Sequence, residues 1–141
     1  MTRYVAQPNG YGCAIACVAM VVGKTYNEME AWFVAQGLAR SRMESGIYDV
    51  LYFEALNRHG FAYVNRFVGC PFLNTRHPRP GWPSAPFAPI HLCCADVAAG
   101  SHAVVMLADG TVLDPYNRER TSLAHPDFQV ISRVVGIWRQ P

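Results

Sequence analysis

The sequence predicts an α+β fold in which N-terminal helices pack on a C-terminal antiparallel β-sheet. Apolar residues recur at helical spacing up to about residue 60, and from residue 61 they alternate with polar residues as they do in strands. Residues 101–116 are typical of a β-hairpin, whose two strands are antiparallel. With 141 residues, 51% of them hydrophobic, the chain can build one core, so residues 1–141 are expected to form a single domain.

The first predicted helix, residues 13–22, begins with a cysteine that follows a glycine-rich turn. This helix is apolar on nearly every face and is expected to be buried, with Gly23 as its C-terminal stop. The N–H groups and the dipole at a helix start favour thiolate over thiol, and Gly12 leaves the sulfur uncrowded. Cys13 is therefore a candidate nucleophile, whereas Cys17, one turn further in, is expected to be a small buried hydrophobe.

Two more helices are expected in the first half of the chain. Asn27 followed by Glu30 resembles an N-cap with its reciprocal acid, and it opens a second helix that stops at Gly37. A third helix is expected from near Ser45, with apolar residues at helical spacing, and its glycine cap is Gly60. The apolar stripes of these helices are expected to form core.

The second half of the chain predicts strands interrupted by one long proline-rich loop. The expected strands are residues 61–67, 90–94, 102–107, 111–114 and a last one within 128–139. Six prolines between residues 70 and 89 exclude regular structure there, and a loop of that length is either a binding loop or a decoration. Trp82 and Phe87, interleaved with the prolines, are candidate substrate-binding residues; alternatively, they cap an exposed part of the core.

The turn of the predicted hairpin decides whether His102 and Asp114 can meet. If Asp109 and Gly110 form a two-residue turn, His102 lies opposite Asn117 and Asp114 points to the other face of the sheet. Asn117 then becomes the group that orients the histidine.

A three-residue loop over residues 108–110 gives the opposite result. It pairs His102 with Tyr116 and places Asp114 diagonally from His102 on the same face, within reach of side-chain contact. That loop requires a left-handed residue in third position, where the chain has Gly110, so this register is preferred. Tyr116 is then placed to shield the His–Asp pair from water.

Cysteine, histidine and aspartate in these positions are typical of nucleophilic catalysis. His102 would take the proton of Cys13, and Asp114 would fix the tautomer of the imidazole and stabilise the imidazolium. The side-chain amide of Gln7, together with the N–H of Cys13, could donate to a developing oxyanion. The rival histidine, His91, has no equivalent acid.

These residues resemble the papain-like cysteine peptidases, and among them the bacterial peptidases that cleave double-glycine leaders from bacteriocin precursors. The shared motifs are Gln7, five residues and Cys13, followed by a similar helix over residues 16–20, and a hydrophobic strand that begins at His102 and is followed by Asp114 and Pro115. The resemblance implies a papain-like fold, a Cys13–His102–Asp114 triad and Gln7 in the oxyanion hole.

The predicted activity is that of a cysteine peptidase or related thiol amide hydrolase, which forms an acyl-enzyme with a peptide or protein substrate. The same triad also serves acyltransferases and deamidases. A different class of function stays open as well: a non-catalytic papain-like module, for instance one encoded by a phage, that binds a partner through the proline-rich loop.

Composition restricts the other function classes. The formal net charge is +2, without blocks of like charge, which argues against nucleic acid or an anionic membrane as partner. The N-terminus lacks the features of a secretory signal, and the longest apolar run is too short to span a bilayer, so a cytoplasmic protein is expected. Five cysteines without paired knuckles predict reduced thiols, no metal and no cofactor.

Overall fold

The computed structural model describes residues 2–38, 49–67 and 86–141. The expected start of the third helix near Ser45 lies outside the described residues. Most of the proline-rich loop, including Trp82, also lies outside them, and only its last four residues are described.

Within the described ranges, three helices form one layer. They are α1 (Cys13–Val22), α2 (Tyr26–Ala35) and α3 (Asp49–Arg58). The bounds of α1 agree with the prediction, and every residue of it from position 14 to position 21 is buried. Gly23 follows in the left-handed conformation, with φ at 79°, and its N–H donates to the carbonyl of Ala19.

The N-cap of α2 differs from the prediction, which placed it at Asn27. The cap is Thr25, whose hydroxyl accepts the N–H of Glu28 at 3.1 Å, while the Glu28 carboxylate accepts the N–H of Thr25 at 3.0 Å. The predicted pair, Asn27 with Glu30, and the observed pair, Thr25 with Glu28, both have the spacing of a capping box. With this start Tyr26 is the first residue of α2, and it is buried together with Met29.

The described part of the chain contains five antiparallel strands, which form one sheet in the order β1-β5-β2-β3-β4. They are β1 (Phe61–Phe67), β2 (Ile90–Val97), β3 (Gly100–Leu107), β4 (Val112–Leu113) and β5 (Val130–Arg139). All five expected strands are therefore present, with β2 longer and β4 shorter than predicted. The last strand enters the middle of the sheet, between β1 and β2.

The hairpin between β3 and β4 has the predicted three-residue loop. Val105 pairs with Leu113 and Met106 with Val112, and the N–H of Leu107 donates to the carbonyl of Thr111 at 2.8 Å. Gly110 has a φ of 89°, the left-handed conformation that the loop requires. This register places His102 and Asp114 on the same face.

Apolar side chains fill both sides of the sheet. The larger cluster lies between the sheet and the helices and includes α1 on nearly all its faces, together with Met29, Phe33 and Leu56. A smaller cluster on the other side includes Phe128 and Leu123 from the chain between β4 and β5. None of the three described helices is long and apolar enough to cross a bilayer.

Candidate active site

His102 and Asp114 form a buried pair at the open end of the β3–β4 hairpin. The Nε2 atom of His102 lies 2.7 Å from Oδ1 of Asp114, and the two side chains are 7% and 0% exposed. The N–H at Nε2 thus donates a hydrogen bond to the carboxylate. Nδ1 is then the ring nitrogen that is available to accept or release a proton. The three-residue turn that ends at Gly110 sets the strand register that brings these two residues together.

The Asp114 carboxylate is held from several directions. Besides His102, its Oδ1 accepts the backbone N–H groups of Tyr116 at 2.8 Å and Asn117 at 3.1 Å. Burial, the largest influence, raises the pKa of Asp114, but the bond to His102 and the two N–H groups lower it below its usual value. Asp114 is therefore ionised at neutral pH.

Two opposing effects set the pKa of His102. Burial is the largest and lowers it, because the imidazolium loses hydration. Hydrogen bonding to Asp114 and to the Cys13 side chain, together with their charges, outweighs burial and raises the pKa of His102 to about 9. The environment of this ring thus favours the imidazolium, the form that a base has after it accepts a proton from a thiol.

Cys13 is the first residue of α1 and is half-buried. Within the described ranges, no side chain caps the N-terminus of α1, since the N-cap is Gly12. The free N–H groups of the first turn and the helix dipole therefore act on whatever negative charge lies beside Cys13. An ideal Cβ at Gly12 would collide with the hydroxyl of Tyr26, so this turn accepts only glycine without a shift.

Gln7 is tied to the same region through its backbone. Its N–H donates to the carbonyl of Pro115 at 2.9 Å, and nearby the hydroxyl of Tyr4 donates to the backbone carbonyl of Asp114 at 2.7 Å. The side-chain Nε2 donates to the carbonyl of Asn9 at 2.7 Å, so one of its two N–H groups is occupied by the turn before α1. The second N–H is the one that an oxyanion role would use.

Sequence reasoning missed Arg120, which also binds the candidate aspartate. Its Nη1 donates to Oδ2 of Asp114 at 3.2 Å, and its Nε donates to Asp127 at 3.1 Å. The residue is only 9% exposed. An arginine six residues after an Asp-Pro pair and seven before another aspartate is a weak sequence signal, because the loop that folds them together has no regular period.

Tyr116 and Asn117 both adjoin the His102–Asp114 pair. The ring of Tyr116 lies edge-on to that of His102, with centroids 6.3 Å apart, and it is 65% exposed. It thus covers one edge of the imidazole from the solvent side. Asn117 supports Asp114 through its backbone N–H and does not replace it, because the hairpin has the three-residue loop.

The other cysteines that the structure describes and the rival histidine occupy structural positions. Cys17 and Cys93 are fully buried, and burial raises the pKa of each thiol. Cys94 is partly exposed, with its sulfur 3.6 Å from the Tyr52 hydroxyl. His91 is buried, and burial lowers its pKa; its Nε2 accepts two backbone N–H groups and its Nδ1 lies 3.1 Å from the Met106 carbonyl.

Phe87 packs against the sheet. Its ring centroid lies 4.9 Å from that of His91 and 6.3 Å from that of Trp138, and it fills the space above Gly136. His91 pairs with Met106, four residues along β3 from His102. These contacts account for Phe87 without a substrate, so its binding role stays a prediction. Within the described ranges, no group of three His, Cys, Asp or Glu side chains is placed to hold a metal ion.

Comparison with known proteins identifies the fold. No family model and no curated protein matches the sequence. Among solved structures, the chain is similar to the crystal structure of a double glycine motif protease from an AMS/PCAT transporter in complex with the leader peptide. The identity is 15% and the TM-score is 0.60, over 99% of this chain and 93% of that one. The chain has the α+β, papain-like fold of that protease.

Proposed function

We propose that the protein is a cysteine peptidase or a closely related thiol amide hydrolase, with Cys13 as nucleophile, His102 as base, Asp114 as its orienting acid and Gln7 as an oxyanion donor. The observation that carries the proposal is the buried 2.7 Å hydrogen bond from His102 Nε2 to Asp114. The Cys13 side chain also contributes to the raised pKa of the same histidine. A half-exposed cysteine at an uncapped helix start supplies the nucleophile.

The first chemical step acylates the cysteine. Nδ1 of His102 takes the thiol proton, and the Cys13 sulfur attacks the carbonyl carbon of the amide, whose π electrons move to oxygen. The N–H of Cys13 and the Gln7 amide stabilise that oxyanion. When the carbonyl reforms, the C–N bond breaks and the imidazolium gives its proton to the departing amine, which leaves a thioester on Cys13.

The second step returns the enzyme to its starting form. Water attacks the thioester while His102 takes one of its protons, and collapse of the intermediate breaks the C–S bond. The products are a carboxylic acid and the Cys13 thiol, which recovers the proton from His102. Throughout, Asp114 keeps Nε2 protonated, so that Nδ1 is the nitrogen that accepts and donates.

A peptide is the proposed substrate because the protein of the same fold was crystallised with a leader peptide bound. The half-exposed Cys13 is accessible to an extended chain, whereas Cys17 and Cys93 are not. We infer peptide or protein amide bonds as the substrate class.

Labelling with an iodoacetamide or acyl-type probe tests the nucleophile. Labelling of the folded wild-type protein is expected to disappear in Cys13→Ala and to fall on the order of 10²–10⁴-fold in rate in His102→Ala, which lacks the base. Cys94→Ala is the matched control, since it removes another partly exposed thiol and should label like wild type.

The outcome that contradicts the assignment is equal labelling in wild type and Cys13→Ala, with the adduct on Cys17, Cys70 or Cys94. Turnover of peptide and acyl substrates by the wild type then tests hydrolysis, and mass spectrometry of the product distinguishes a free acid from an amide formed by acyl transfer. Acid as product supports hydrolysis, and amide as product contradicts it.

A further inference from the structure

The two oxygens of the Asp114 carboxylate have different partners. Oδ1 accepts three donors, namely His102 Nε2 and the backbone N–H groups of Tyr116 and Asn117. Oδ2 accepts Arg120 Nη1, its sole side-chain or backbone donor within the described part of the chain. Rotation about the Cβ–Cγ bond would move both oxygens, so the bond at Oδ2 opposes that rotation together with the three bonds at Oδ1.

Arg120 is itself held rigidly. Its Nε donates to Asp127 Oδ2 at 3.1 Å, and its backbone N–H donates to the Asn117 carbonyl at 3.1 Å. The guanidinium carbon lies 5.9 Å from the ring centroid of Phe128 and 6.0 Å from that of Tyr116. Because Asp127 and the two rings fix the planar guanidinium of Arg120, the direction of its Nη1 toward Asp114 is fixed as well.

Arg120 adds a permanent positive charge to the partners that already favour the ionised Asp114, namely His102 and two backbone N–H groups. Asp114 is 0% exposed, and a buried carboxylate without adequate partners would take up a proton. A protonated Asp114 could not orient the imidazole as a carboxylate does. Arg120 is permanently charged, so it keeps Asp114 ionised whether or not His102 carries its second proton.

We propose that Arg120 is a positioning residue, which clamps Oδ2 of Asp114 so that the ionised Oδ1 stays directed at His102. Asp127 completes the arrangement by holding the guanidinium. The significance of this clamp for catalysis rests on the proposed function, whereas its effect on the His102–Asp114 pair does not.

The groups that face the pair come from several elements. Cys13 approaches His102 from α1, and Tyr116 and Arg120 approach from the loop after β4. Tyr4 approaches the backbone of Asp114 from the N-terminal segment. Of these, Arg120 is the cation that contacts the carboxylate.

The test compares Arg120→Met with Arg118→Met in the full-length protein. Arg118 lies in the same loop and stacks on the Tyr4 ring, with its guanidinium carbon 4.0 Å from the centroid. Its replacement removes a nearby positive charge without removing a carboxylate contact. Histidine ring signals are followed by NMR against pH in a Cys13→Ala background, which removes the thiol titration, and His102→Gln assigns the His102 signal.

In Arg120→Met the pKa of His102 should fall toward its ordinary value, because a carboxylate without its clamp bonds the imidazolium less well and that bond is what raises the pKa. Loss of positive charge alone would raise the pKa of His102, so a rise contradicts the clamp. Arg118→Met should shift this pKa less. In the active protein, kcat should fall on the order of 10–100-fold with little change in KM, as for other residues that orient a catalytic group. Arg120→Lys should recover part of kcat, since one ammonium can reach Asp114 or Asp127.

An unchanged His102 titration in Arg120→Met, or a shift equal to that in Arg118→Met, would overturn the clamp. If Arg120→Met does not fold, Arg120→Lys supplies the comparison, and a wild-type titration and a wild-type kcat in that variant would overturn it too. Failure of the peptidase proposal would leave this titration result unaffected, so the two failures are distinguishable.

Discussion

At the scale of single residues, the chemistry depends on a contest between desolvation and hydrogen bonding. Burial alone would keep His102 neutral and would protonate Asp114. The bond between them reverses both tendencies because each charged form stabilises the other across 2.7 Å. His102 is therefore held as the imidazolium and Asp114 as the carboxylate over the neutral range, and removal of either partner leaves a buried group without its compensating charge.

The raised pKa of His102 predicts how stability depends on pH. The ordinary value is 6.5 and the folded value is about 9, so protonated His102 favours the folded state. This contribution, on the order of 1–3 kcal/mol, is fully present below pH 6.5 and is lost as pH rises through 9. In Asp114→Asn the pKa of His102 should fall, and the loss of stability across this window should disappear.

Urea unfolding of wild type and Asp114→Asn between pH 6 and pH 10 measures this effect as the difference between the two curves. Histidine NMR gives the titration directly. Parallel curves with the same slope through the window would contradict the linkage between His102 and Asp114.

At the scale of elements, the three-residue loop of the hairpin sets the register on which the site depends. Gly110 has a φ of 89°, and no other residue type adopts that conformation without strain. Since side chains alternate along a strand, a shift of one residue would send Asp114 to the opposite face. The site is therefore encoded partly by a glycine that has no chemistry of its own.

Gly110→Ala should lower the free energy of unfolding by about 1 kcal/mol. Gly10→Ala is the matched control, because a Cβ there would meet nothing within 4 Å and its φ is not positive. Thermal and urea unfolding of both variants measure the difference. Equal stability of the two variants would show that the left-handed conformation at Gly110 is not what holds the loop.

Helix starts were less predictable than strand register. Both Asn27 with Glu30 and Thr25 with Glu28 have the spacing of a capping box, and the structure has the second. The start at Thr25 adds Tyr26 to the helix, and this side chain is buried in the same core cluster as α1. Local spacing alone therefore does not distinguish Thr25 from Asn27 as the N-cap of α2.

At the scale of the whole molecule, distant parts of the chain are needed to complete the site. Tyr4 donates to the carbonyl of Asp114, 110 residues away, and Gln7 donates to the next residue, Pro115. Cys13, the proposed nucleophile, belongs to the helical layer, while His102 lies in β3 and Asp114 directly follows β4. The site therefore assembles only when both layers have packed together.

Unfolding is expected to be a single cooperative transition, because residues 1–141 are predicted to form one domain. Tryptophan fluorescence reports on Trp32 in α2 and Trp138 in β5, and far-UV circular dichroism reports on the secondary structure of both layers. The two midpoints in urea should coincide. Two separate transitions would show that the helical layer and the sheet unfold independently.

The sequence by itself determined the order of helices and strands, the bounds of α1, and the register that joins His102 to Asp114, because these follow from local periodicity and from the needs of one glycine turn. The tertiary structure alone decided that Thr25 caps α2, that His91 is a buried structural residue and that Arg120 binds Asp114. These outcomes depend on which side chains meet after the layers pack, and an irregular loop has no period from which such meetings can be predicted.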